Sequence, residues 1–183
     1  MRKLLLAAVA ALALGGTAHA DILDYAAIYG GYTADPNLTI DGASFSMDHG
    51  YNVGAAFGWD VTSNFSFGVD LMYTNSDYKI FPGKLETFSV MGTAYYNFDI
   101  GSKWRPFVGA GIGGVQESVT ALSGSDFVFG YQGVAGVSYP LAEKTAVVLA
   151  YKYQGASDGS INPFNNIGYQ SHNISAGLIF NLQ

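Results

Sequence analysis

From Tyr51 onward the chain alternates, residue by residue, between apolar side chains and small or polar ones. A repeat of two is the repeat of a β-strand, whose successive side chains point to opposite faces. This limits the fold more than any composition figure does, because a chain built of such segments must give one face of every strand a different environment from the other. Tyr51, Val53, Ala55, Phe57, Trp59 and Val61 share one face, with Asn52, Gly54, Ala56, Gly58 and Asp60 opposite. After Thr62-Ser63-Asn64, Phe65, Phe67, Val69, Leu71 and Tyr73 alternate with Ser66, Gly68, Asp70, Met72 and Thr74.

The same pattern returns in Thr87–Phe98, Phe107–Gly113, Phe129–Ser138, Val147–Tyr153 and Asn173–Leu182. A first strand, about Tyr25 to Thr33, is the weakest, because its two faces are similarly apolar. The reading is therefore eight strands. Connections alternate in length: residues 34–49, 75–85, 116–126 and 155–169 are longer and hold Pro36, Pro82 and Pro163, whereas 62–64, 99–103 and 140–145 are short. Long loops at one end and short turns at the other are the pattern of bacterial outer-membrane barrels, and an even strand count puts both termini on the short-turn, periplasmic side.

A soluble sandwich or lipocalin-like barrel has the same periodicity with the opposite sense, apolar inward and polar outward. Two features argue against it. The polar faces carry mainly Gly, Ser, Thr and Asn, with few charges, which makes a poor solvated exterior. The apolar faces carry aromatics at both ends: Tyr51, Tyr73, Phe88, Phe129, Tyr151 and Tyr153 toward the loops, Trp59, Phe65, Tyr96, Phe98, Tyr139 and Phe180 toward the turns. Val, Leu, Ile and Ala fill most of the interval. Paired aromatic girdles around an apolar band are expected where an outer face meets lipid. The fold expected is an all-β, eight-stranded antiparallel up-and-down transmembrane barrel.

The amino terminus reads as a secretory leader. Arg2 and Lys3 precede the apolar stretch Leu4–Leu14, and Ala18-His19-Ala20 offers small residues where a peptidase would cut before Asp21. The stretch is well short of the roughly 20 residues a helical span needs. Residues 1–20 are assigned to the signal peptide and 21–183 to the barrel. Without Arg2 and Lys3, six of the eight Lys+Arg remain against 14 Asp+Glu, a formal net charge of −8. Such a chain is ill suited to nucleic acid, whose phosphates need a basic face. It has no cysteine, so packing or a closed hydrogen-bonded sheet must hold it together.

Arg105-Pro106-Phe107-Val108-Gly109-Ala110-Gly111-Ile112-Gly113 resembles the Pro-aromatic-Val-Gly-Ala-Gly strand of the OmpA/OmpX-like outer membrane protein β-barrel superfamily. Ala135-Gly136-Val137-Ser138-Tyr139 and Tyr151-Lys152-Tyr153 are similar to segments of the same superfamily, the latter often Tyr-Arg-Tyr in relatives. In the last strand Ser175, Gly177, Phe180 and Leu182 resemble the signal read by the barrel-assembly machinery. Relatives usually end on an aromatic residue, whereas this chain runs on to Gln183. The resemblance implies outer-membrane lipids and the assembly machinery as partners. It leaves function open, because the superfamily includes adhesins, structural barrels, serum-resistance factors and a few lipid-modifying enzymes.

Residue chemistry adds no catalytic constellation. Beyond the leader the histidines are His49 and His172. Lipid A deacylation needs a His and a Ser on one face. His172 stands at odd spacing from both Ser171 and Ser175, which places each pair on opposite faces, with His172 outward near the loop-side boundary. Asp35, Asp41, Asp48 and Asp158 are read as solvated loop carboxylates, and no metal or cofactor is assigned. Gly109, Gly111 and Gly113 recur every second residue, so they are side-chain-free lumen positions, with Tyr95 and Met91 expected to cover them.

An eight-stranded barrel is just wide enough for its own side chains to fill, although these glycines free some volume. Strand parity turns Lys152, Asp70 and Glu117 inward. A lone ammonium there would be costly, so Lys152 is expected either to pair with Asp70 or Glu117 as an internal plug, or to reach solvent at the loop end. The function expected is a non-enzymatic barrel that supports the envelope or presents its outer loops to surface ligands. The alternatives are a narrow channel or small-ligand carrier and, third, a lipid-modifying enzyme.

Overall fold

The structure, a computed structural model, describes residues 23–40, 43–78, 84–119, 125–161 and 164–183, with side chains over 23–34, 49–76, 85–116, 128–156 and 169–183. The expected leader, residues 1–20, lies outside the described residues. Eight strands follow in order: β1 (Tyr25–Ile40), β2 (Ala43–Asp60), β3 (Phe65–Tyr78), β4 (Lys84–Asn97), β5 (Arg105–Val119), β6 (Ser125–Ala142), β7 (Thr145–Ile161) and β8 (Phe164–Asn181). Each pairs antiparallel with its sequence neighbours, and β1 pairs with β8 to close the barrel. The closing register runs Tyr25↔Asn181, Ile28↔Leu178 and Thr33↔Asn173, and beyond β8 the Leu182 amide donates to the Asp24 carbonyl at 2.9 Å.

Burial follows parity. On β2, Tyr51, Val53 and Trp59 are exposed while Asn52, Gly54, Ala56 and Gly58 are buried. On β3, Ser66, Gly68, Asp70, Met72 and Thr74 are buried, with Phe67 exposed between them. Val108, Ile112, Leu149 and Ile174 are exposed on their strands in the same sense. The inside is thus polar and small and the outside apolar, the reverse of a water-soluble barrel. Phe57, Val69, Leu71, Leu149 and Leu178 all lie on the outer face.

In the weak first strand, Tyr25, Ala27, Tyr29, Gly31 and Thr33 point to the lumen, and Ile28 and Tyr32 point out. Its two faces look alike because tyrosine serves both. Outside, Tyr32 belongs to the loop-side girdle; inside, Tyr25 and Tyr29 fill space.

The loop side departs from expectation. Segments 34–49, 75–85, 116–126 and 155–169 read as long connections, yet strand pairing runs to Ile40 and resumes at Ala43, and likewise to Tyr78 and from Lys84. The strands have 14 to 18 residues, against the roughly 9–11 that cross a membrane. The excess lies at the loop end, where ladders continue as hairpins. Proline and polar residues mark the end of the apolar band there, not the end of backbone pairing. Irregular register between Ala34 and Asn37 and between Met47 and Gly50 accommodates the change. On the turn side β6 continues to Ala142, so the expected 140–145 turn reduces to Glu143-Lys144, with a register shift at Pro140.

Two outcomes follow. Leu149→Arg places a charge on the lipid face and should destabilise by roughly 2–4 kcal/mol in urea unfolding from lipid vesicles, whereas Val61→Arg in the exposed β2–β3 turn should cost about 0–1 kcal/mol. Deleting Phe180–Gln183 removes the Phe180↔Ala26, Phe180↔Thr145 and Asn181↔Tyr25 pairings. The shortened chain should then lose the heat-modifiable gel mobility of a closed barrel, since unpaired backbone groups in lipid cost several kcal/mol each.

Candidate functional site

Asp70 on β3 and Lys152 on β7 stand four strands apart in a ring of eight, on opposite walls. Their side chains meet across the lumen. Lys152 Nζ lies 2.6 Å from Asp70 Oδ2, with the residues only 5% and 3% exposed. Tyr29 on β1 donates its hydroxyl to Asp70 Oδ1 and accepts from Lys152 Nζ at 3.0 Å. The ammonium also stands 4.5 Å from the centre of the Tyr29 ring. Tyr95 on β4 donates to Asp70 Oδ2 at 3.4 Å. An isolated charge here would carry a desolvation penalty of several kcal/mol; each ion instead has an opposite charge and further hydrogen-bonding partners.

Glycine makes the arrangement possible. Tyr29 lies across Gly54 of the neighbouring strand, where any Cβ would overlap its ring and hydroxyl. The expected pairing of Lys152 therefore falls on Asp70. Glu117 pairs through its backbone with Thr87 and Asp126, and its side chain lies outside the described residues. Sequence reading missed Tyr29 as the third member. Its signal was the inward parity it shares with Thr33, which the apolar look of β1 concealed.

Loopward of the pair the lumen is packed. Gln154 Nε2 donates to Ser89 Oγ at 2.9 Å, from β7 to β4, and Met72 and Met91 are almost wholly buried. Two networks reach over a glycine on the strand between. Gln132 Nε2 donates to Thr93 Oγ1 at 2.6 Å above Gly111, and Ser175 Oγ donates to Asn52 Oδ1 at 2.7 Å above Gly31. Thr33 Oγ1 then donates to Asn173 Oδ1 at 2.7 Å. Tyr95 covers Gly109 as expected, but the Met91 methyl lies against Gly130, one strand beyond the glycines of β5.

On the turn side the lumen opens into a cavity of about 690 Å³. Tyr29, Asp70 and Lys152 form its inner end, and its mouth is edged by Thr62, Asp99 and Glu143 of the three turns.

Of the assembly-signal residues, Ser175 and Gly177 face inward and Phe180 lies half-exposed outside. His172 lies on the outer face. Its Nδ1 is 2.6 Å from the Tyr151 hydroxyl, and its ring centre is 5.2 Å from that of Tyr153. Ser171 and Ser175 are buried on the lumen side. The side chains of Asp35, Asp41, Asp48 and Asp158 lie outside the described residues.

A double-mutant cycle tests the coupling across the lumen. Lys152→Met alone strands a buried carboxylate and should cost about 3–5 kcal/mol; Lys152→Met with Asp70→Asn should cost less than Lys152→Met alone. Unfolding from lipid vesicles measures both, and strictly additive effects would show that the ions do not interact.

Solved structures share this architecture. Neisserial surface protein A (NspA) is 22% identical, aligning over 86% of this chain and 97% of its own, with a TM-score of 0.64. The outer membrane enzyme PagL is also 22% identical, over 84% and 97%, with a TM-score of 0.56. OprG from Pseudomonas aeruginosa is 17% identical, over 86% and 96%, with a TM-score of 0.53. At these identities the likeness speaks for the fold. No curated protein sequence matches. The sequence model of the outer membrane protein beta-barrel domain matches residues 4–180. With that match, the closed eight-stranded ring and the lipid-facing exterior, the chain belongs to the outer membrane protein β-barrel domain family of bacterial outer membranes.

Proposed function

We propose that this protein is a non-enzymatic barrel, closed to ordinary solutes, that supports the outer membrane and presents its loop-side hairpins at the cell surface. The observation that carries the reading is the state of the lumen. The Asp70–Lys152 pair spans its middle, and at and loopward of that pair the described side chains are joined by hydrogen bonds between strands. A solute would have to break a buried ion pair and several buried hydrogen bonds to pass. Strands that continue well past the membrane's thickness support the presentation role, since they carry hairpins outward on a hydrogen-bonded ribbon.

A lipid-modifying role would need an acid–base histidine and a nucleophile on one face. His172 faces outward, while Ser171 and Ser175 face the lumen. Contact with the assembly machinery belongs to the same proposal, resting on Ser175, Gly177, Phe180 and Leu182 in the closing strand.

In planar bilayers the intact protein should show no steady conductance, and Asp70→Ala with Lys152→Ala, Gln132→Ala and Gln154→Ala should open measurable current. Steady current through the intact barrel would overturn the closed reading in favour of a narrow channel. Shortening the loop-side hairpins should abolish adhesion to host or neighbouring-cell surfaces while leaving heat-modifiable mobility intact. Altered lipid A masses in a deletion strain, restored by the intact gene, would instead establish an enzyme.

A further inference from the structure

The turn-side cavity has no part in sealing the lumen. Its volume of about 690 Å³ falls within the range of small-molecule sites, roughly 300–1,000 Å³. It exists because aromatic rings that would otherwise fill the lumen are laid against its wall. Tyr25 rests over Gly58 and Gly68, Tyr95 over Gly109, and Phe107 over Gly136; a Cβ at Gly58 would come within 2.6 Å of the Tyr25 hydroxyl, and one at Gly109 within 2.7 Å of the Tyr95 ring. Tyr95 and Phe107 meet edge to face with centres 6.1 Å apart. Glycine on one strand and an aromatic on another thus leave the middle of the vestibule open and line it with rings. One end is blind, closed by the ion pair. The other opens between the short turns, which face the periplasm.

The charge around this space is uneven. Four carboxylates line it (Asp60, Asp70, Asp99 and Glu143) against two cations, Arg105 and Lys152. Lys152 is neutralised by Asp70, whereas Asp60 has both Asp24 and Arg105 as charged neighbours. Asp99 and Glu143 are exposed in turns at the mouth; Lys103 and Lys144 of the same two turns are also exposed but do not line the cavity, so the acidic excess belongs to its lining. An anion entering would meet a negative rim. A ligand with a cationic end and an apolar body would find the rim attractive and ring faces and edges inside to pack on. The Asp70–Lys152 pair leaves no uncommitted carboxylate at the blind end, so the body goes in and the charge stays at the mouth.

We infer that the vestibule is a periplasm-facing pocket for small amphipathic monoamines, bound with the apolar body against Tyr25, Tyr95 and Phe107 and the ammonium between Asp99 and Glu143. The pocket is blind, so this is capture and not passage. It does not depend on the surface-presentation role.

Three probes of matched shape separate the terms: 2-phenylethylamine, 2-phenylethanol and 3-phenylpropanoate, titrated against the protein in lipid nanodiscs and read by NMR of backbone amides. The amine should shift Gly58, Gly68, Gly109 and Gly136 and bind about tenfold more tightly than the carboxylate, with the alcohol between and the gap narrowing in high salt. Asp99→Asn with Glu143→Gln should bring amine and alcohol to equal affinity. Asn keeps the oxygen that accepts from the Gly101 amide, so the turn is retained. Ser138→Trp, which fills the vestibule from β6, should remove binding of all three; Val148→Phe serves the same end if that variant lacks heat-modifiable mobility. Equal affinities in the intact protein would overturn the inference, as would shifts confined to the lipid-facing Val108 and Leu149, which would mean partition into the bilayer.

Discussion

Hydrocarbon offers no partner for a peptide N–H or C=O, and this structure is organised around that fact. Every membrane-spanning strand must be paired on both edges, so β1 must find β8, and the chain must close on itself. Closure at eight strands fixes a narrow interior. A narrow interior lets side chains from opposite walls touch, as Lys152 and Asp70 do from β7 and β3. In a wider barrel the same two residues would face water and contribute little. The ion pair is thus a consequence of strand number, and strand number of the need for a sheet without edges.

Within that ring, glycine decides what is full and what is empty. Beside and above the ion pair, Gly111 and Gly31 leave gaps that neighbouring strands bridge, so that Gln132 meets Thr93 and Asn52 meets Ser175. Below it, Gly58, Gly68, Gly109 and Gly136 receive rings flat against the wall, and the centre stays open. The difference lies in the partner: short polar side chains join over a glycine, whereas a long planar one lies down on it. One residue type therefore builds both the packed half of the lumen and the vestibule.

The alternation of Tyr51–Val61 or Phe65–Thr74 conveyed strand, face and environment together, because lipid and lumen select different side chains and the pleat sorts them strictly. β1 was harder, since tyrosine suits an interfacial girdle and a polar lumen equally well: Tyr32 took the first place, Tyr25 and Tyr29 the second. The loop-side strand ends are not legible in the sequence, because periodicity records the membrane's thickness whereas backbone pairing continues into water without it. Parity turned Lys152 and Asp70 inward, but which inward residue answers which depends on the stagger of the closed ring, a three-dimensional quantity that no single strand encodes. Tyr29 as a shared neighbour, and Met91 resting on Gly130 and not on the glycines of β5, depend on the same stagger.

The Asp70–Lys152 pair joins strands that are far apart in the chain, Asp70 in the third and Lys152 in the seventh. It cannot form while the barrel is an open sheet growing strand by strand, because the two walls face each other only after the ring has curled shut. Its energy therefore belongs to the finished state and is absent from the partly assembled ones that precede it. An interaction of that kind leaves the rate of entry unchanged and raises the barrier to exit. Residence time is what such an interaction gives the barrel: the pair acts as a latch that engages last and must be undone first.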